Sequence, residues 1–316
     1  MRTGLVSDPI FLKHDTGGHP ENAGRLVAVS GLLEEQGLLG RVARRGTRPA
    51  TEQEISAIHT VDYMRQVEEA ALSGQQYLST PDCVLSTPTY EVALHAAGAV
   101  VDAVTDVAEG RLDNAFMASR PPGHHAEQQQ AMGFCYFNNV AVAAAHLTGN
   151  MGYERVLIFD FDVHHGNGTQ HSFEHRKDVF FASIHQHPMT LFPGTGFMEE
   201  RGKGEGLGYT LNVPMPPKAT DSDYITIFTE YLLPAFREYN PQFILLSAGF
   251  DAHQDDPLAN MNLTQHGFDT MLEGIKRLAL ECCGGKLVSV LEGGYDYRRL
   301  SECVVSHINL LQQDPE

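Results

Sequence analysis

The stretch RVLIFDFDVHHGNG, residues 155–168, opens as an apolar run and closes on Asp160, Asp162, His164, His165 and Asn167. Arg155 to Phe159 reads as a strand covered on both faces. In a strand, positions i, i+2 and i+4 share a face, so a run continuing to residue 163 would align Asp160, Asp162 and His164. Unpaired carboxylates at the end of a buried strand are costly. A divalent cation would offset that cost and could be held by a carboxylate and an imidazole together. Taken alone, Asp-x-His more often marks surface acids in salt bridges. The rest of the chain has to decide.

Four further apolar runs share the strand character: 115–118, 179–184, 242–247 and 286–291. Between them lie helical patterns at 88–109, 221–239, 264–281 and 297–312. This alternation predicts an α/β fold, a mostly parallel central sheet with helices on both faces. The absence of repeats and Gly/Ser linkers predicts a single domain over 1–316. The Gly- and Pro-rich stretches 186–206 and 214–220 read as long surface loops. Three of the other strand runs also lead into polar or glycine-rich clusters: Arg120 to His125, Gly249 to Pro257, and Glu292 to Tyr295. Active sites of open α/β sheets lie outside the carboxyl ends of strands, so these clusters are expected to converge with 160–168. That convergence reverses the preference for surface acids.

The bulk composition narrows the class. The chain has 316 residues, 42% of them hydrophobic, five cysteines and a formal net charge of -18. No long apolar run opens the sequence and none reaches membrane-spanning length, so neither a signal peptide nor a membrane association is expected. Cysteines without paired spacing point to reduced thiols and a cytoplasmic location. No basic stripe supports direct nucleic-acid binding. The acidic balance mainly confers solubility and secondarily favours cationic ligands.

At this point the sequence resembles the zinc-dependent histone deacetylase and acetylpolyamine amidohydrolase superfamily, in its class II and bacterial branches. The matching stretches are His19-Pro20-Glu21 with Arg25, His59 with Tyr63, residues 120–126, 132–139, 160–170, 192–196, 247–251, 256–258 and 291–295. A common family form has Trp where this chain has Phe161. The resemblance implies an arginase/deacetylase-like fold and zinc-dependent hydrolysis of acetyl-lysine or short acyl-lysine amides, with acetylpolyamine amidohydrolase as the alternative.

The resemblance also implies roles. One Zn2+ would be held by Asp162, His164 and Asp256; Asp251, His253 and Asp255 are rival ligands, less favoured because the family ligand directly precedes proline. Two-metal relatives use Asp-x-His-x-Asp, and Gly166 at the last position argues for one metal. His124 and His125 match the tandem catalytic histidines, paired with Asp160 and Asn167 respectively. His125 is expected as general base and His124 as electrostatic support. Tyr295 would donate to the oxyanion. Phe134 and Phe192 would line an acyl-lysine channel, with the Gly133 carbonyl, Asp82 at the rim and Leu263 at the mouth. Arg25 would lie beneath the metal near an acetate exit. A structural K+ would use Asp160, the carbonyls of Asp162, His164 and Ile184, and the Ser183 hydroxyl. A second cation would sit near Phe173, Arg176, Val179 and Tyr209. The expected partners are an acyl-lysine protein or peptide, or an acetylated polyamine; a homo-oligomer is left open.

Overall fold

The computed structural model describes residues 1–314. Its eight strands are β1 (Thr3–Val6), β2 (Ala43–Arg45), β3 (Asn114–Met117), β4 (Val156–Asp160), β5 (Val179–Gln186), β6 (Thr210–Met215), β7 (Phe243–Ala248) and β8 (Leu287–Leu291). They form one sheet in the order β2-β1-β3-β8-β7-β4-β5-β6, parallel at every pairing. Every residue of β3, β4, β5, β7 and β8 is buried. Crossover helices cover both faces of a parallel sheet, and the continuous apolar runs reflect that cover. Pro214 is tolerated in β6 because β6 is an edge strand.

The helical patterns appear as Thr89–Ala108, Gln265–Cys283 and Tyr297–Gln312. The predicted helix over 221–239 is interrupted. Asp221–Ile227 and Leu233–Tyr239 flank a π turn, Phe228–Leu232, in which the Leu233 N–H reaches back to the Phe228 carbonyl. Pro234 has no N–H for the Glu230 carbonyl and its ring crowds the preceding turn, so the helix widens there. The chain also forms helices that the strand-and-helix reading did not single out, among them Gly24–Glu35, Val61–Leu72, Asn139–Gly149 and Asn167–Phe173.

Strand order brings the polar clusters together. β3, β8, β7 and β4 are consecutive neighbours. Their carboxyl ends carry residues 120–125, 292–295, 249–257 and 160–168, so four distant segments meet at one rim of the sheet.

Candidate active site

β4 ends at Asp160, not at residue 163. Strand alternation therefore does not align Asp162 and His164. Side chains do so instead: Asp160 Oδ1 accepts the Asp162 N–H at 3.1 Å, and Asp162 Oδ1 accepts the His164 N–H at 2.9 Å. An aspartate that captures the amide two residues on closes a tight turn. Two such turns in succession curl the loop back over the strand end. Asp162 Oδ2 accepts the Gly293 N–H from the end of β8 at 2.8 Å. Gly249 and Gly293 make this approach feasible, because a Cβ at either position would run into the Asp162 carboxylate.

Asp162, His164 and Asp251 form a group able to hold one cation, with ligand atoms within 4.8 Å of one another. His164 Nδ1 lies 3.0 Å from Asp162 Oδ1 and 3.1 Å from Asp251 Oδ2. Ligands about 2.0–2.2 Å from one small ion are spaced in this way. The sequence favoured Asp256 over Asp251 here. In the structure Asp251 lies nearest the two shared candidates, because Val163 N–H and His164 Nδ1 turn its carboxylate inward. Asp256 is buried beside it, its oxygens accepting the N–H groups of Leu258, Tyr295 and Asp296. Burial and the nearby Asp251 push the Asp256 carboxyl up to about 7. Of the other candidates, Asp255 pairs with Arg299 and His253 is capped by the Asp255 N–H.

The donor set fits a cation. Asp160, Asp162, Asp251, Asp256 and Glu292 are all buried. Burial opposes charge on His164 and His124, yet hydrogen bonds and neighbouring carboxylates raise each to about 10. Burial raises Asp160 to about 6 and Asp256 and Glu292 to about 7, so the five acids resist ionising together without a cation, and the nearby buried Arg25 is paired with Glu21. Buried carboxylates in excess call for a metal.

The tandem histidines are held differently. His124 Nδ1 lies 2.9 Å from Asp160 Oδ2, and His125 Nδ1 lies 2.7 Å from Asn167 Oδ1. Burial and the positive His124 and His164 push His125 well below the ordinary histidine value. One imidazole is therefore charged and its neighbour neutral. Glu292, to which sequence reasoning assigned no role, positions this loop: its buried carboxylate accepts the Gly123 and His124 N–H groups at 2.7 and 3.2 Å. Its signal was the acid in Glu292-Gly293-Gly294 at a strand end.

Tyr295 follows Gly294, whose φ of +119° suits glycine. Arg25, fully buried, ties this turn down by donating to the Gly294 carbonyl at 2.7 Å and the Glu292 carbonyl at 2.5 Å. Its guanidinium carbon lies 5.1 Å from the Tyr295 ring centre. Glu21 bridges Arg25 and Arg120 in a buried ion pair.

These groups face a cavity of about 540 Å³ lined by His124, His125, His164, Gly293 and Tyr295 at its polar side. Phe134, Phe192, Leu191, Leu258, Pro122 and Pro81 supply apolar walls, with Thr80, Asp82 and Gly133 completing the lining. The Phe192 ring stands edge-on to His125 at 5.1 Å, and Phe134 edge-on to Tyr295 at 5.9 Å. Asp82 Oδ2 accepts the Gly133 N–H at 2.9 Å, joining the rim to the channel wall. The Gly133 carbonyl is approached by the Cys135 thiol at 3.2 Å. Leu263 is not at the mouth. The loop after Asp256 turns back, pairs His253 with Leu263, and leaves Leu263 fully buried. Leu258 is the apolar residue that reaches the cavity instead.

Of the residues expected around K+, Asp160 and Ser183 are direct neighbours across β4 and β5, and the Ser183 hydroxyl lies 2.8 Å from His185 Nδ1. Ile184 is buried next to Ser183 in β5. At the second expected cation position, the Arg176 guanidinium pairs with Asp178 and covers the Phe173 ring at 5.2 Å. Val179 opens β5, and the Tyr209 carbonyl accepts the Phe181 N–H.

The model of the histone deacetylase domain matches residues 19–311. The chain belongs to the histone deacetylase family. It is 39% identical over 298 residues to a probable deacetylase of Archaeoglobus fulgidus, covering 93% of this chain and 82% of that protein. It is 37% identical over 294 residues to a histone deacetylase-like amidohydrolase of Pseudomonas aeruginosa, covering 93% and 77%. The crystal structure of the HDA15 HD domain superposes with a TM-score of 0.92 at 38% identity, covering 98% of this chain and 88% of that one. Family membership makes the chain a hydrolase of the deacetylase and amidohydrolase class, and the fold expected from the sequence is the fold of the family. Among the described residues, no helix is long and apolar enough to cross a membrane.

Proposed function

We propose that the chain hydrolyses acetyl-lysine and related short acyl-lysine amides at a single zinc site. The observation that carries this reading is the meeting of a cation-binding group, a neutral and a charged imidazole, and Tyr295 on one apolar cavity. Asp162 and His164 are two of the ligands. Asp256 is the third, a buried carboxylate with no ion-pair partner among the described residues, while Asp251 accepts the Val163 N–H and holds the ligand loop. Zinc, when bound, supplies a Lewis acid for the scissile carbonyl and lowers the pKa of the attacking water. Only one metal is proposed, since Gly166 stands where a second site would need a carboxylate.

His125, neutral and with Nδ1 directed at Asn167, leaves Nε2 free to take the water's proton and return it to the leaving amine. His124, charged against Asp160, stabilises developing negative charge. The Tyr295 hydroxyl donates to the oxyanion. Phe134, Phe192 and Leu258 pack on the methylenes of the lysine stem, and the free oxygen of Asp82 accepts a substrate backbone N–H. Arg25 acts through the turn that carries Tyr295. A K+ held by Asp160, Ser183 and the carbonyls of Asp162, His164 and Ile184 would stiffen the loop from behind.

Acetylated polyamines are the second substrate class, favoured by the acid Asp82 at the mouth and by the net charge of -18. Exposed charge is screened beyond about 8–10 Å in physiological salt. The apolar walls, Leu258 among them, therefore decide for acyl-lysine. Measuring kcat/KM for an acetyl-lysine peptide and for N8-acetylspermidine at matched ionic strength tests this. A clear preference for the polyamine overturns the acyl-lysine reading.

A further inference from the structure

Asn167 has two faces. Its Oδ1 meets His125 Nδ1 at 2.7 Å, and its Nδ2 donates to Glu127 Oε1 at 2.5 Å. On the other side of Glu127, His171 Nδ1 lies 2.8 and 3.0 Å from the two carboxylate oxygens. Asn167 and His171 are four residues apart on one helix, so both project from the same face and grip the same carboxylate. The Glu127 backbone is itself fixed, its N–H bonded to the Gln130 carbonyl and its carbonyl lying 2.9 Å from His59 Nδ1.

We infer that Glu127 is a positioning residue that sets which nitrogen of His125 is basic, through the orientation of the Asn167 amide. An ionised carboxylate only accepts hydrogen bonds, whereas an amide has one accepting and one donating end. Glu127 therefore requires the NH2 of Asn167 to face it. That turns the Asn167 carbonyl toward His125, which must then carry its proton on Nδ1 and leave Nε2 unprotonated. Without Glu127 the NH2 keeps only its longer contacts, to the His125 carbonyl at 3.2 Å and the Met132 sulfur at 3.6 Å, so half a turn of the amide, which presents the NH2 to Nδ1, is opposed much less. The proton would then reside on Nε2, the nitrogen needed as base. His171 completes the chain by donating to Glu127 and holding it in place. The Glu127 side chain is 24% exposed and that of His171 42%, so this chain of hydrogen bonds runs from the surface to the catalytic pair.

The inference rests on His125 being the base of the proposed reaction, so wild-type turnover of an acetyl-lysine peptide is measured first. No turnover in the zinc-loaded wild-type protein would remove that reading, whatever Glu127 does. Given turnover, Glu127→Leu is expected to lower kcat about 10- to 100-fold, the usual range for outer partners of a site, with KM and zinc content unchanged. Glu127→Gln can still accept from Asn167 through its amide oxygen and is expected to retain most of the rate. Long-range ¹H–¹⁵N spectra of the histidine rings in the zinc-loaded protein should show the Nδ1–H form of His125 in wild type and Glu127→Gln, and a shift toward Nε2–H in Glu127→Leu. Wild-type kcat in Glu127→Leu, or a reduced kcat with the Nδ1–H form intact, would overturn the inference. If Glu127→Leu fails to fold, His171→Leu with the same two readouts takes its place, expected to give a smaller change in the same direction; no change in either overturns it.

Discussion

Tyr295 hangs from a turn that Arg25 ties to Glu21, and its ring closes one side of the cavity. Burial pushes its hydroxyl well above the ordinary tyrosine range, against the pull of Arg25, so it remains a donor. Tyr295→Phe should keep the metal and lower kcat by about 10²- to 10³-fold, the loss expected for one oxyanion donor; an unchanged kcat on an unactivated acetyl-lysine peptide would refute the role. Asp251 and Asp256 are separated by a second pair of variants. Asp256→Asn should lose zinc by elemental analysis, whereas Asp251→Asn should retain it with weakened affinity, since its carboxylate accepts the Val163 N–H and so holds the loop between the two other ligands. The reverse order would make Asp251 the ligand. Much at this scale was legible because Asp160, Asp162, His164 and Asn167 lie within eight residues of one another. The contest between Asp251 and Asp256 was not, because hydrogen bonds from Val163 and Tyr295, distant in sequence, decide where each carboxylate points. Leu263 was misplaced because its position at the mouth was carried over by resemblance, whereas here the pairing with His253 folds that loop into the core.

The elements matter here for how their ends meet. The runs that became β3, β4, β5, β7 and β8 were readable as apolar segments, and three of the four predicted helices appear within about two residues. The fourth is split at Phe228–Leu232, which the single Pro234 signalled and helical periodicity hid. Strand order could not be read, since nothing local says that β8 lies between β3 and β7. That order is what brings Gly293 against Asp162 and Asp251. Gly293→Ala would place a methyl group among those carboxylates, where they have no room to withdraw because β7 and β8 are hydrogen-bonded on both sides. The variant should lose zinc binding and activity while its circular dichroism spectrum remains that of a folded α/β protein. Wild-type zinc affinity would show that the close approach is not needed.

For the whole molecule, the buried histidines away from the catalytic pair set the response to acid. Burial lowers His307 to about 3 and His14, His59 and His185 to about 4, from an ordinary 6.5. Below 6.5 the unfolded chain takes up protons that the folded chain refuses, so their contribution is whole above 6.5 and is lost as pH falls toward 4. Glu21 adds a later loss: burial would raise it, but Arg120 and Arg25 hold it at about 2, so its contribution fades below 4.5. Asp160, raised to about 6, and Asp256 and Glu292, raised to about 7, bind protons in the folded state over the same range and offset part of this loss, so the melting temperature should fall from pH 7 to pH 4 by less than the histidines alone imply; a rising profile by calorimetry would contradict this. The proposed activity is deacylation of lysine side chains at a mononuclear zinc site. Its most direct test is to strip the protein with chelator, add zinc in steps, and follow turnover of an acetyl-lysine peptide and metal content on the same sample. Activity should be lost on stripping and return in proportion to zinc, saturating at one equivalent per chain; saturation at two equivalents, or full activity in the stripped protein, would contradict a mononuclear zinc site.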